Sequence, residues 1–276
     1  MITDLTRRFT VDGVDLAYDR WDHEAGGTPF VLCHGFSGSS HDFALHIEPF
    51  AASRTVLTVD HRGHGRSPKL GDTARYSLDR IADDLTALID AQGDGPVDLL
   101  GHSMGGAVSL RLTLRRPDLV RSLILMDTSG WSFRPPQQEI ADLMTAFMAA
   151  YDPANGLPDF RDPNNPEDPL IAATTPADWQ TIKDEMAAGF DPYALVALGK
   201  ELFDPVLASV RDQLGEIACP VTVIVGEHDH PFVDQADALA SEVKDGRVVV
   251  IPGAYHSPQL THPEAWAAAV QEHLAR

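Results

Sequence analysis

The stretch "VDLLGHSMGGAVSLR", residues 97–111, changes from an apolar run into a helical pattern within a few residues. Three glycines, Gly101, Gly105 and Gly106, surround Ser103 at this change. A sharp turn from a strand into a helix is tolerated when its neighbours are small, and it leaves the serine hydroxyl exposed above the sheet edge. The pattern G-x-S-x-G, with a strand before it and a helix after it, therefore predicts Ser103 as a nucleophile.

Apolar runs and helical patterns alternate on both sides of this stretch. Runs without polar alternation, which are typical of strands buried on both faces, lie at 30–34, 55–60, 97–101, 122–127, 221–226 and 247–253. Residues 14–21 alternate apolar and polar as a half-exposed strand does, and helical patterns cover 77–93, 104–116 and 263–275. Together they predict an α/β fold with a mostly parallel, doubly wound sheet.

Residues 131–215 interrupt this alternation. They hold ten of the 20 prolines and 14 Asp or Glu against five Lys or Arg, and they contain helical patterns at 138–151 and 177–190 but no convincing strand. We expect them to form a helical cap inserted between two strands of the sheet. The sheet domain would then comprise residues 1–130 and 216–276.

Charge and composition limit the classes of partner that this chain is expected to bind. The 276 residues carry a formal net charge of −20, which disfavours nucleic acid and anionic membrane surfaces. No apolar run is long enough to span a membrane, and the first residues do not resemble a signal peptide. Cys33 and Cys219 lie in apolar runs and are expected to be reduced, which favours a cytoplasmic location. The oligomeric state stays open.

A serine nucleophile needs a base, and twelve histidines compete for that role. His256 follows the last apolar run in "IPGAYHSPQ", on a loop that can reach across the sheet edge. His102 is adjacent to the serine and is expected to point away from it, because consecutive residues of a strand face opposite sides. His34, His61 and His64 are predicted to have structural roles. His256 is therefore the predicted base.

The base needs a carboxylate that holds its tautomer and stabilises its cation. The segment "VIVGEHDHPF" offers Glu227 and Asp229 directly after an apolar run, and Asp229 is the predicted acid. Asp127, at the end of "LILMD", is a rival at another strand end. The alternation of acids and histidines at 227–230 could suggest a metal, but no further ligands follow at a known spacing, and we predict none.

Acyl transfer also needs donors for a developing oxyanion. The backbone N–H of Met104 follows the nucleophile, and the glycine-containing loop "HGFSGSS" can supply a second donor, that of Phe36. Gly35, His102 and Trp131 are predicted to line the substrate pocket. The apolar residues of 131–215 favour a hydrophobic substrate. If an anion is bound instead, the candidates to hold it are Arg134, Arg161 and Lys183.

These motifs together resemble the α/β-hydrolase family over nearly the whole chain. "HGFSGSS" is similar to its oxyanion loop, "DHRGHGRS" to its D-x-R-G-x-G-x-S turn, "GHSMGG" to its nucleophile elbow, "GEHD" to its acid loop and "GAYHSP" to its histidine loop. They follow the family order of serine, aspartate and histidine. The resemblance implies a cap after the sixth strand, in agreement with the helical patterns at 131–215.

The resemblance also narrows the reaction. Haloalkane dehalogenases and soluble epoxide hydrolases of this family carry aspartate where this chain has Ser103. Carbon–carbon bond hydrolases of the family often carry asparagine where this chain has His102. Peptidases that act on N-terminal proline have a nucleophile elbow closer to G-G-S-W-G. The expected activity is hydrolysis of small hydrophobic esters or lactones without a cofactor. A cofactor-free lyase or oxygenase, a carbon–carbon bond hydrolase and a non-hydrolysing small-ligand receptor are the alternatives.

Overall fold

A computed structural model describes residues 7–24, 26–135, 137–158 and 164–276 and arranges the apolar runs in an eight-stranded sheet. The strands are β1 (Arg7–Val11), β2 (Val14–Trp21), β3 (Phe30–Cys33), β4 (Val56–Val59), β5 (Val97–His102), β6 (Val120–Met126), β7 (Val221–Gly226) and β8 (Gly246–Ile251). Their spatial order is β1-β2-β4-β3-β5-β6-β7-β8. Strand β2 is antiparallel to β1 and to β4, and the other neighbouring pairs are parallel. The predicted doubly wound sheet is confirmed.

Helices cover both faces of the sheet. They are α1 (Ala44–Ala51), α2 (Leu78–Gln92), α3 (Met104–Arg115), α4 (Gln138–Ala150), α5 (Asp168–Thr174), α6 (Trp179–Gly189), α7 (Pro192–Phe203), α8 (Phe232–Glu242), α9 (Pro258–Thr261) and α10 (Pro263–Leu274). One apolar layer joins the sheet to α2, α3, α7 and α8, and a second joins the other face to α1 and α10. No helix within the described ranges combines the length and the apolar character needed to cross a bilayer.

Local signals explain where the elements begin and end. The side chain of Ser77 accepts a hydrogen bond from the N–H of Arg80 at the start of α2, and Gly93 ends that helix with φ +70°, as the sequence predicts. Strand β1 was not predicted, because its residues are mostly exposed at the sheet edge and lack a buried apolar run. Cys33 is buried in β3, whereas Cys219 is half-buried and precedes β7 instead of lying in a strand.

The segment 131–215 leaves the sheet after β6 and returns to it at β7. Its described residues contain α4–α7 and no strand, in line with the sequence pattern. Helix α7 was not predicted, although Asp191 caps it by accepting a hydrogen bond from Tyr193 N–H and Pro192 is its first residue. The role of this segment as a cap remains a prediction.

A buried ion pair fastens the loop after β4 to α2. The guanidinium of Arg62 donates to both oxygens of Asp84 at 2.6 Å, with the Arg62 side chain 1% exposed and the Asp84 side chain 5% exposed. This pair connects the "DHRGHGRS" turn with helix α2. Removing Asp84 would leave the buried Arg62 charge with only the exposed carboxylate of Asp12, 3.6 Å away, as a counter-ion.

Replacing Asp84 by Ala should lower the free energy of unfolding by about 3 kcal/mol or more, because the Arg62 charge stays buried. Asp83→Ala is the matched control, since the Asp83 side chain is 71% exposed and pairs with Arg115 at the surface. We expect that control to change stability by less than about 0.5 kcal/mol. Urea unfolding of the three proteins measures both values, and equal losses in the two variants would contradict the prediction.

Candidate active site

Ser103 lies in a strained turn between β5 and α3. Its backbone has φ +52° and ψ −117°, an unusual conformation for a residue with a side chain. The N–H of Ser103 donates to the carbonyl of Met126 at 2.8 Å, and its own carbonyl accepts from the Thr128 hydroxyl at 2.7 Å. The last residue of β6 and the chain after it therefore fix the turn after β5. Such strain costs about 1–3 kcal/mol and persists only where the surroundings impose it.

The three glycines make room for this turn. A Cβ on Gly101 would collide with the Gly105 carbonyl across the turn, as the sequence predicts. A Cβ on Gly105 would instead collide with the Cys33 carbonyl at the end of β3, and one on Gly106 would collide with the Thr128 side chain after β6. Gly105 and Gly106 therefore let α3 approach the ends of the two neighbouring strands.

His256 and Asp229 form a hydrogen-bonded pair at the same edge of the sheet. Asp229 follows β7 and is buried, His256 follows β8, and the distance from Nδ1 to Oδ2 is 2.9 Å. Burial disfavours the charge on each group, but the partner outweighs burial, so the pKa of His256 is raised and that of Asp229 is lowered. The pair leaves Nε2 of His256 as the nitrogen that can accept a proton from an incoming group.

Asp127, the rival acid, does not hold the histidine. It is fully buried at the end of β6, and its Oδ1 accepts a hydrogen bond from Gly226 N–H at 2.8 Å. Burial raises its pKa well above the usual range, and the neighbouring charge of Asp229 raises it further. The raised pKa favours the neutral form of Asp127, and the geometry favours Asp229 as the partner of His256.

The loop after β3 lies against the elbow. A Cβ on Gly35 would lie 3.3 Å from Cβ of Ser103 and 3.2 Å from Nδ1 of His102, so this loop passes directly beside the serine. His34 donates from Nδ1 to the Gly35 carbonyl at 2.8 Å, because its Nε2 accepts from a backbone N–H at 3.0 Å. The Gly35 carbonyl and the Phe36 N–H belong to the same peptide, and a trans peptide directs these two groups in opposite directions. The N–H of Phe36 therefore points away from His34.

Met104 is the first residue of α3, and its N–H belongs to the set at a helix start that has no acceptor within the helix. The candidate oxyanion donors therefore flank Ser103 on two elements: Phe36 follows Gly35 on the loop, and Met104 follows the serine on the helix. Their role stays a prediction, as does that of the other site residues.

His102 does not turn away from the site as the strand alternation predicts. Its Nε2 donates to the backbone carbonyl of His256 at 2.9 Å, and the two ring centroids are 4.9 Å apart. His102 is paired with Met126 as the last residue of β5, and the loop after β8 reaches its ring. Burial lowers the pKa of His102 to about 3, which keeps the ring neutral. Burial also lowers the pKa of His34, His61 and His64, in agreement with structural roles.

Two acids that the sequence analysis did not single out face His256. Asp42 is buried in the turn after β3, and burial raises its pKa to about 7. Glu167 precedes α5, and its Oε1 accepts a hydrogen bond from the N–H of Ser257 at 2.7 Å. Both acids contribute to the raised pKa of His256. Neither belongs to a motif, and each is brought to the site by the tertiary fold alone.

An apolar groove of about 650 Å³ starts at the loop after β3 and continues between helices of the 131–215 segment. Its lining comes from that loop, from α4, from the ends of α6 and α7 and from the chain between them: Phe36, Ser37, Leu143, Met144, Phe147, Met148, Pro158, Phe190, Leu195 and Phe203. Trp131, predicted to line a pocket, is absent from this lining within the described chain. The guanidinium of Arg211 lies over its ring, 4.3 Å from the centroid.

Replacing Asp229 by Asn should lower the pKa of His256 by about one to two units, because the nearest negative charge is removed. NMR titration of the His256 ring proton measures this change. Asp127→Asn is the matched control: it keeps the shape of a side chain whose burial favours the neutral form, and it should move the His256 pKa by less than about 0.5 units. If both variants lower it equally, Asp127 carries a charge and the prediction is wrong.

Known proteins similar to this chain include a lipase, a peptidase and a lactone-degrading enzyme. A sn-1-specific diacylglycerol lipase from Danio rerio is 37% identical over 122 residues, which cover 44% of this chain and 38% of that protein. The chain thus spans well under half the length of that relative. A proline iminopeptidase from Heyndrickxia coagulans is 24% identical over 282 residues and 96% of each chain.

Among solved structures, Est816, described as an N-acyl homoserine lactone degrading enzyme, shares 25% identity and superposes with a TM-score of 0.73, covering 96% of this chain and 99% of that one. The model of the alpha/beta hydrolase fold family matches residues 28–263. The order of the strands, the turn at Ser103 and this match lead to one conclusion: the chain belongs to the α/β-hydrolase family.

Proposed function

We propose that this chain is a serine hydrolase that cleaves carboxylic esters or lactones of small hydrophobic substrates. The observation that carries the proposal is the strained turn that presents Ser103 at the sheet edge where Asp229 holds His256 through Nδ1. A serine in that setting has a base whose tautomer is fixed and whose cation is stabilised. The similarity to a lipase and to a lactone-degrading enzyme supports the same class of reaction.

The proposed reaction has two stages. Nε2 of His256 accepts the hydroxyl proton of Ser103 while Oγ attacks the carbonyl carbon, and the N–H groups of Phe36 and Met104 stabilise the oxyanion. The bond to the leaving oxygen then breaks, and His256 returns the proton to that oxygen. Water next gives a proton to His256 and attacks the acyl group, and the proton returns to Ser103 as the acid leaves. No cofactor enters these steps.

The groove supports a neutral, apolar substrate. Phe36 supplies both a candidate oxyanion donor and part of the groove wall, so an acyl or alkyl chain can lie in the groove while its carbonyl is beside Ser103. We propose that the 131–215 segment acts as a cap, because its helices form most of that wall. Of the cations considered for an anion, Arg134 pairs with Asp142 and Lys183 with Asp168, while Arg161 lies outside the described residues.

Ser103→Ala should keep the fold but lose ester hydrolysis by several orders of magnitude, because the nucleophile is gone. We would measure hydrolysis of p-nitrophenyl esters, aryl esters and lactones, and label the unmodified protein with a serine-directed phosphonate. Labelling of Ser103 alone is the expected result. Near-normal turnover by the alanine variant would favour the lyase alternative, and binding of ligands without any turnover would favour the receptor.

In a series of neutral esters, each added methylene that enters the groove should raise kcat/KM by up to about fourfold, from about 0.8 kcal/mol of burial. Met144→Ser should reduce this gain because it makes the groove wall polar. Leu207→Ser is the control, since Leu207 is 51% exposed and lies outside the groove lining.

A carboxylate on the same ester should lower kcat/KM, because acids outnumber bases in the segment that lines the groove. The penalty should shrink with added salt, since salt screens charges near the surface. Matched neutral and anionic esters at low and high ionic strength test this point. A preference for the anionic ester at low salt would mean that a cationic site binds it, and the proposed substrate class would then be wrong.

A further inference from the structure

The residue before α5 is hydrogen-bonded to the loop that carries His256. The carboxylate of Glu167 accepts a hydrogen bond from Ser257 N–H at 2.7 Å, one residue after the histidine. At the other end of α5, the Thr174 hydroxyl donates to the carbonyl of Leu260 in α9. Two hydrogen bonds thus connect the 131–215 segment with the backbone on the C-terminal side of His256.

Apolar packing reinforces this connection. Ile171 of α5 and Trp179 of α6 bury their side chains against Leu260 of α9, and Leu45 and Ile182 pack at the border of this small cluster. The cluster is separate from the two large apolar layers of the sheet. The histidine loop therefore has its own contact with the helical segment, independent of the core.

Charged and titratable groups face His256 from four elements. Asp229 follows β7 and is hydrogen-bonded to Nδ1, Asp42 lies in the turn after β3, Glu167 precedes α5, and the neutral ring of His102 ends β5. Burial disfavours the imidazolium, and the three acids together outweigh it. Glu167 is the only one of these acids that the 131–215 segment contributes, judged on the described residues.

We propose that Glu167 is a positioning residue: it anchors the His256 loop to the helical segment and supplies part of the negative charge that the imidazolium faces. The inference rests on the proposed function, in which His256 is the base. The anchoring role and the charge of Glu167 can be separated, because Gln keeps an oxygen that accepts from Ser257 N–H but carries no charge. Alanine removes both the hydrogen bond and the charge.

The sign of the pH effect follows from the charge. His256 acts as a base only when it is neutral, so kcat/KM rises as the pH rises through its pKa. A negative neighbour raises that pKa, and its removal lowers it. Glu167→Gln should therefore move the acidic limb of the kcat/KM profile to lower pH, by about 0.3 to 1 unit, with the high-pH plateau within about twofold of the original.

Three further variants separate charge from anchoring. Glu167→Ala should show the same shift and a plateau lowered by about tenfold, because the loop loses its anchor. Thr174→Val, which weakens the α5–α9 contact without changing charge, should leave the limb in place. Asp168→Asn is the matched charge control, since Asp168 is exposed, lies 3.6 Å from Lys183 and is adjacent to Glu167 in the chain. It should change neither the position of the acidic limb nor the height of the high-pH plateau of kcat/KM.

NMR titration of His256 in the same variants provides a readout that does not depend on turnover. A lowered His256 pKa in Glu167→Gln and an unchanged one in Asp168→Asn support the proposal even if no ester is hydrolysed, in which case only the proposed function fails. An unchanged pKa in Glu167→Gln, or an equal shift in Asp168→Asn, overturns the role of the charge. A plateau that Glu167→Ala leaves intact overturns the anchoring role.

Discussion

The chain turns from β5 into α3 at a single residue, and the backbone of that residue has to adopt a positive φ. Ser103 holds this conformation because its N–H donates to the last residue of β6 and its carbonyl accepts from Thr128 just after that strand. The glycines on either side remove the atoms that would prevent the turn. If this turn relaxed, the start of α3 would move away from the end of β3, and the loop at Gly35 would lose its contact with the serine.

The parallel sheet determines what else meets at that turn. Loops leaving the carboxyl ends of β3, β5, β6, β7 and β8 all emerge at one edge, as expected of open α/β sheets. Each brings one polar feature: the Gly35–Phe36 peptide, Ser103, Asp127, Asp229 and His256. The orientation of the Gly35–Phe36 peptide depends in turn on His34, whose ring is held by two backbone groups.

Much of this could be predicted from the sequence, for reasons that are local. Ser103, Asp229 and His256 each lie within a few residues of a strand end, in segments where glycine or proline marks a turn. The helices α2, α3 and α10 have apolar residues at helical spacing, and Ser77 and Gly93 cap α2. Those features depend on near neighbours in the chain, so a single sequence reveals them.

The features that the sequence does not reveal depend on contacts between segments that are distant in the chain. Glu167 lies in a proline-rich stretch and has no neighbour in sequence that suggests a site, and only the fold brings it to Ser257. Asp42 is unremarkable until its burial is known. Trp131 is predicted as a pocket residue, and the guanidinium of Arg211, which follows α7, lies over its ring. The contact of His102 with the loop after β8 likewise joins segments that are far apart in the chain.

The acids around His256 also bear on how the proposed reaction ends. During acyl transfer the imidazolium and the oxyanion form together, so the reacting groups as a whole add no net charge beside Asp229, Glu167 and Asp42. After hydrolysis the imidazole is neutral again, and the product is a carboxylate that faces these acids alone. Like charges at short range repel, and a chain of net charge −20 adds to that repulsion. The same groups that make the histidine basic therefore favour departure of the acid product from the site.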